Sequence, residues 1–243
     1  MKVCNAIILL LLIAVLSACG SNEVEERPID QGKDYYPIEV GSSWTYVYDS
    51  IVYNRQFRTI DTLTGYIQET ISNQLSDIGG HPNYRIERLI KKSEGEPWTP
   101  NTVWSVNVED SRLIRTEENL PFIKLLFPTT IDVEWDGNAF IDQFLDVDIN
   151  GDPIQMFINW DYVYKERLDS KEVEGKTYTD VLLVEEVDTD DSFSRRLSKS
   201  YYARGIGLIE KEMIILDCSN CSNELSWDVK GDKGFRHSLR LMN

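Results

Sequence analysis

The chain has 243 residues, 42% of them hydrophobic and 11% aromatic, with 41 acidic against 25 basic side chains and a formal net charge of −16. That is enough chain for one domain with a sizeable core. So negative a field repels nucleic acid and anionic lipid headgroups, which excludes both as partners of the folded part. At the N-terminus, Lys2 is the lone basic residue before an apolar run from Ala6 to Leu16. The eleven residues of that run are too few to cross a bilayer core as a helix, which takes about 20. They suit the apolar centre of a secretory signal. The run ends in Leu16-Ser17-Ala18-Cys19-Gly20. Small Ser17 and Ala18 admit a peptidase to the backbone, and the Cys19 thiol is the only side chain there that can become a thioether to diacylglycerol.

These five residues resemble the lipobox of bacterial lipoproteins. The resemblance implies a signal peptide over residues 1–18, cleavage before Cys19, and a Cys19 that carries lipid, with palmitate among the acyl chains. Two or three such chains hold firmly at ~0.8 kcal/mol per buried CH₂. Ser21 to Gln31 is polar and acidic, cannot repay the entropy of folding, and reads as a tether. The expected organisation is a lipidated, flexible segment over 19–34 and a single extracytoplasmic domain over 35–243. Gly20 replaces the aspartate that keeps lipoproteins of enteric bacteria in the inner membrane. The resemblance therefore implies the outer membrane, with the periplasmic face and the cell surface both open.

Beyond the tether, period-two patterning dominates. In Trp44-Thr-Tyr-Val-Tyr48 the aromatics share one strand face. Asn83–Lys91 sets Tyr84, Ile86 and Ile90 against Arg85, Glu87 and Lys91. Trp104, Val106 and Val108 alternate with Ser105 and Asn107. Met156–Tyr164, Tyr178–Val187, Ser200–Tyr202 and Leu208–Leu216 read as extended too. Pro121–Phe127 fits either a short helix or a buried strand. Trp98, between prolines and without strand patterning, is expected to be exposed. Gly205 and Gly207 suggest a bulge or sharp bend within a strand. The expected fold is mainly β: a largely antiparallel, many-stranded curved sheet or half-barrel with few short helices.

Three segments carry a second resemblance. Tyr36-Pro-Ile-Glu-Val-Gly-Ser-Ser-Trp-Thr-Tyr46 looks like the opening strand of many uncharacterised bacterial lipoproteins. Gly175–Val184 and Tyr201–Glu210, within Gly175–Glu210, look like their closing half. The resemblance implies a β-rich extracytoplasmic domain, curved like the lipoprotein carriers, and assigns no activity.

Asp146-Val-Asp148-Ile-Asn150-Gly151-Asp152 admits two readings. Asn150-Gly151 is a strong hairpin signal, with Phe144–Ile149 and Ile154–Ile158 as arms. Asp146, Asp148, Asn150 and Asp152 also match the first half of a calcium loop. The second half fails, with Phe157 where a bidentate glutamate belongs. Cys218 and Cys221 are expected to form a disulfide stapling a turn, because export implies an oxidising compartment. His81 and His237 are expected at the surface, and motifs for nucleophilic or metal-dependent hydrolysis are missing from the sequence.

The first functional reading is thus a non-enzymatic, lipid-anchored binding or structural module facing a protein or glycan partner, with no cofactor beyond calcium. The second is a carrier whose curved sheet encloses a lipid or other apolar ligand. A carboxylate-dependent glycan hydrolase is the third.

Overall fold

The computed structural model describes residues 30–76, 79–222 and 224–242. The expected signal peptide, the lipobox-like residues with Cys19, and most of the expected tether lie outside them. The chain forms fourteen strands: β1 Ser43–Asn54, β2 Thr59–Ser76, β3 Pro82–Lys91, β4 Thr99–Val108, β5 Arg112–Glu117, β6 Leu120–Leu126, β7 Glu134–Trp135, β8 Asp146–Ile149, β9 Asp152–Gln155, β10 Tyr162–Val173, β11 Lys176–Asp190, β12 Ser194–Ala203, β13 Gly207–Asp217 and β14 Lys233–Leu241. A 3₁₀ turn at Lys33–Tyr35 and one helix, α1 (Trp227–Lys230), complete the elements.

Twelve strands make one sheet in the order β6-β5-β4-β3-β2-β1-β14-β13-β12-β11-β10-β7, with every pair antiparallel. Two meanders thus run outward from a central seam, where the last strand pairs with the first. The pattern follows from local chemistry, since successive strands joined by short turns pair most readily as neighbours. Register shifts interrupt β2/β3, β3/β4, β5/β6, β10/β11, β11/β12 and β12/β13. Each bulge bends the ladder and raises its twist, and together they curl the sheet.

The curl brings the two edges together without a ladder. The Trp135 indole of β7 donates to the carbonyl oxygen of Ile123 in β6 at 2.8 Å, and the Tyr164 hydroxyl of β10 donates to the carbonyl of Leu126 at 2.6 Å. These side chains occupy backbone groups that an open edge would offer to another chain. The large aromatic cluster fills this end, with Trp135 4.6 Å from Tyr164 and 5.6 Å from Tyr162, centroid to centroid. Most of the aromatics thus serve the core.

Several expectations change in detail. Pro121–Phe127 falls mostly within β6 and is a strand. Met156–Asn159 is a turn, and extended structure resumes only at Tyr162. Trp98 is half-buried, with the Lys91 ammonium 4.9 Å above its ring. Gly205 and Gly207, both at positive φ, lie in and beside the β12–β13 turn, where glycine has no steric penalty. Residues 30–34 pack against the sheet: the Arg204 guanidinium reaches Asp34 at 2.6 Å and Asp30 at 2.7 Å.

Candidate functional site

The concave face of the curled sheet encloses a cavity of about 520 Å³, within the ~300–1,000 Å³ common for small-molecule sites. Strand alternation delivers its walls. Tyr48 of β1, Ile67 of β2, Ile90 of β3 and Leu239 of β14 line it, with Met156, Phe157 and Trp160 from the β9–β10 connection. Val147 of β8 also lines it, so the small β8–β9 hairpin contributes a wall.

One side of this apolar space is charged. Glu69 of β2 accepts hydrogen bonds from Arg88 of β3 at 2.9 Å and from Arg115 of β5 at 2.7 Å. Arg115 also lies 3.1 Å from Glu117 of the same strand. Lys124 of β6 stands 3.6 Å from Glu117 and, across the curl, 3.9 Å from Glu186 of β11. Glu186 closes the series by accepting from Lys211 of β13 at 2.8 Å, Ser198 at 2.5 Å and Ser200 at 2.9 Å. The Arg88 guanidinium lies 3.5 Å over the Trp104 ring and that of Arg115 4.7 Å from it. Arg88, Glu117, Lys124, Glu186 and Lys211 line the cavity itself.

Glu186 follows Leu182 and Val184 onto this face by alternation, and a bulge in β11 then turns Val187 inward as well. Glu185 pairs with Lys199 and Val187 with Ser198, so Glu186 is the extra residue. Consecutive Glu186 and Val187 both turn inward, one to the cavity and the other to the core.

Burial and pairing compete at each group. Burial alone raises a carboxyl, yet Lys124, Lys211 and the hydrogen bonds from Lys211 and Ser198 outweigh it and hold Glu186 at about 2. Glu117 is likewise held below the usual carboxylate range against its burial, by Lys124 and Arg115. Burial pushes Lys211 down, although Glu186 opposes the shift. Tyr36, Tyr46 and Tyr202 are pushed up by burial and stay protonated.

His237, expected at the surface, lines the cavity. It stacks on Phe235 at 4.2 Å and meets the Tyr48 ring edge-on at 5.4 Å. Burial pushes it down to about 4, so it is neutral at pH 7. It shares strand parity with Phe235 and Leu239, a signal that points inward. His81 is exposed.

The other sequence candidates stand apart from the charged side of the cavity. Cys218 and Cys221 are joined by a disulfide in the β13–β14 connection. Asp146, Asp148, Asn150 and Asp152 belong to the β8–β9 hairpin, whose turn residues Asn150 and Gly151 have φ of 54° and 89°. Asp148 accepts from the Gly151 N–H at 2.9 Å, and Asp152 from the Arg55 N–H at 3.3 Å. Among the described residues no three His, Cys, Asp or Glu side chains are grouped to hold a metal ion.

The fold defines a class: one open antiparallel sheet curled around an amphipathic cavity. Neither a known protein family nor a curated protein matches the chain. Among solved structures it is similar to a protein from Bacteroides fragilis described as exported, with a YmcC-like fold. The two share 8% identity at a TM-score of 0.39, over 86% of this chain and 97% of the other. It is also similar to a domain from Vibrio parahaemolyticus described as an outer membrane lipoprotein-sorting protein. There the identity is 10% and the TM-score 0.23, over 87% of each chain.

Proposed function

We propose that this chain is a lipid-anchored protein of the bacterial cell envelope, tethered through Cys19, that holds a small amphipathic ligand inside its curled sheet. The cavity carries the reading. A sheet whose inner face met only itself would fill that space with side chains, as interiors pack to crystal-like density. Here about 520 Å³ stays open between apolar walls and a buried ionic row. This favours the carrier reading over a module that works only through its outer surface. The lipobox resemblance supports the envelope address and the anchor.

The test uses a secreted chain starting at Gly20. It retains every strand, since the first begins at Ser43, and every buried core residue from Tyr35 onward. N-phenylnaphthylamine should brighten on binding, and Met213→Trp, which places an indole in the cavity wall, should abolish the signal. Native mass spectrometry of the same preparation should show a co-purifying small molecule. An unliganded protein that leaves the dye dark would return the function to the outer surface and a protein or glycan partner.

A further inference from the structure

The charges beside the cavity form a single series: Arg88, Glu69, Arg115, Glu117, Lys124, Glu186, Lys211. It alternates in sign and begins and ends on a cation. Four cations therefore face three carboxylates, leaving one positive charge in excess inside a protein whose net charge is −16. No other ionised group in the row cancels it. His237 is neutral, and the neighbouring tyrosines are protonated. Glu118 also lines the cavity, but it is exposed at the rim, where water screens it and the Trp104 indole donates to it at 3.1 Å.

Within the row, Lys124 is the one cation without a hydrogen-bonded carboxylate, whereas Arg88, Arg115 and Lys211 each have one. It is 5% exposed and lines the cavity. Its carboxylate contacts, at 3.6 and 3.9 Å, both exceed hydrogen-bond length. An ammonium has three donors, and Lys124 spends none of them on a carboxylate within hydrogen-bond length. By contrast, Lys211 has two oxygens of Glu186 at 2.8 and 2.9 Å. Lys124 also lies 4.3 Å from the Phe122 ring, beside the apolar wall.

Resting on the cavity reading above, we propose that the ligand carries one negative charge, a carboxylate at the end of an apolar chain, and that Lys124 receives it. The ligand supplies the hydrogen-bonded carboxylate that Lys124 lacks and balances the excess cation. The chain lies against Ile67, Ile90, Met213 and Leu239. The overall negative surface does not oppose this, since the ionic row beside the cavity carries one positive charge in excess.

The experiment compares three twelve-carbon probes on the secreted chain from Gly20: dodecanoate, dodecanol and dodecylammonium. Each displaces bound N-phenylnaphthylamine at pH 7. Dodecanoate should bind at least about tenfold more tightly than dodecanol, and dodecylammonium most weakly. Lys124→Met should erase the preference for dodecanoate while leaving dodecanol unchanged, which also shows that the variant is folded. Equal affinity for dodecanoate and dodecanol would overturn the headgroup assignment and leave the cavity reading intact. A preference for dodecylammonium would overturn it as well. If no probe displaces the dye, or the dye does not bind, the cavity reading falls and takes this one with it.

Discussion

Glu186 offers the sharpest test of the buried ionic row. Glu186→Gln keeps the shape of the side chain and removes its charge. At 1% exposure, the residue accepts from Lys211 with both oxygens and is one of two carboxylates near Lys124. Without it, two ammonium groups share one enclosed space with a neutral amide. Breaking a buried pair from one side costs about 3–5 kcal/mol. The depressed acidity of the carboxyl points to a similar magnitude. Moving a carboxyl from its ordinary 4.5 to about 2 is worth about 3 kcal/mol by linkage. For a domain of this size that lowers Tm by roughly 6–20 °C. Urea unfolding at pH 7, followed by calorimetry, measures both. Because the folded carboxyl titrates below the unfolded one, this stability is present above pH 4.5 and drains away as pH falls toward 2. The wild-type and Glu186→Gln curves should therefore converge in acid. Adding Lys211→Met to Glu186→Gln removes the stranded cation as well and should recover at least about half the loss. A single-variant loss under about 1 kcal/mol, or a double variant no better than the single, would refute the idea that Glu186 neutralises this space.

The remaining predictions concern the features that stand apart from the ionic row. Replacing Cys218 and Cys221 by serine should cost roughly 2 kcal/mol or less, because the bridge spans three positions in sequence and closing so short a loop removes little unfolded-state entropy; thermal melts with and without a thiol reductant measure it, and a loss above about 4 kcal/mol would mean the bridge organises more than its own turn. Calcium and a chelator should leave the same Tm, since Asp148 and Asp152 already accept backbone N–H groups in the hairpin; a calcium-dependent rise would return those side chains to metal binding.

Much of the fold was legible because strand alternation is local. Trp44, Tyr46 and Tyr48 share a face whatever the rest of the chain does, and turn residues mark where the strands stop. The hairpin at Asn150-Gly151 was legible for the same reason, since its turn demands positive φ at two adjacent positions. Met156–Asn159 was misread because an apolar run looks the same in a strand and in a turn that packs its side chains inward. Met156 and Phe157 illustrate this: both belong to the core while their backbone turns.

The ionic row left a trace that alternation alone does not decode. Glu69 sits between Ile67 and Ile71, Arg88 between Ile86 and Ile90, Lys124 between Phe122 and Leu126, and Lys211 between Ile209 and Met213. Each is a charge at the apolar parity of its own strand. Read singly, each looks like an interruption of a hydrophobic face. Their partners lie far off in sequence, with Arg115 and Glu69 separated by 46 positions and Lys211 and Glu186 by 25, so nothing local says that the charges cancel. Curvature decides the matter. On a flat sheet these residues would line up along a face that something else must cover. Bent by its bulges, the sheet covers that face itself, bringing β6 opposite β11 and turning scattered interruptions into one enclosed row. The same bending leaves the cavity, because a curled sheet closes on its edges before its centre is filled. Site and fold therefore share one cause, and a change that flattened the bulge at Glu186 would be expected to disturb the ionic row and the cavity together.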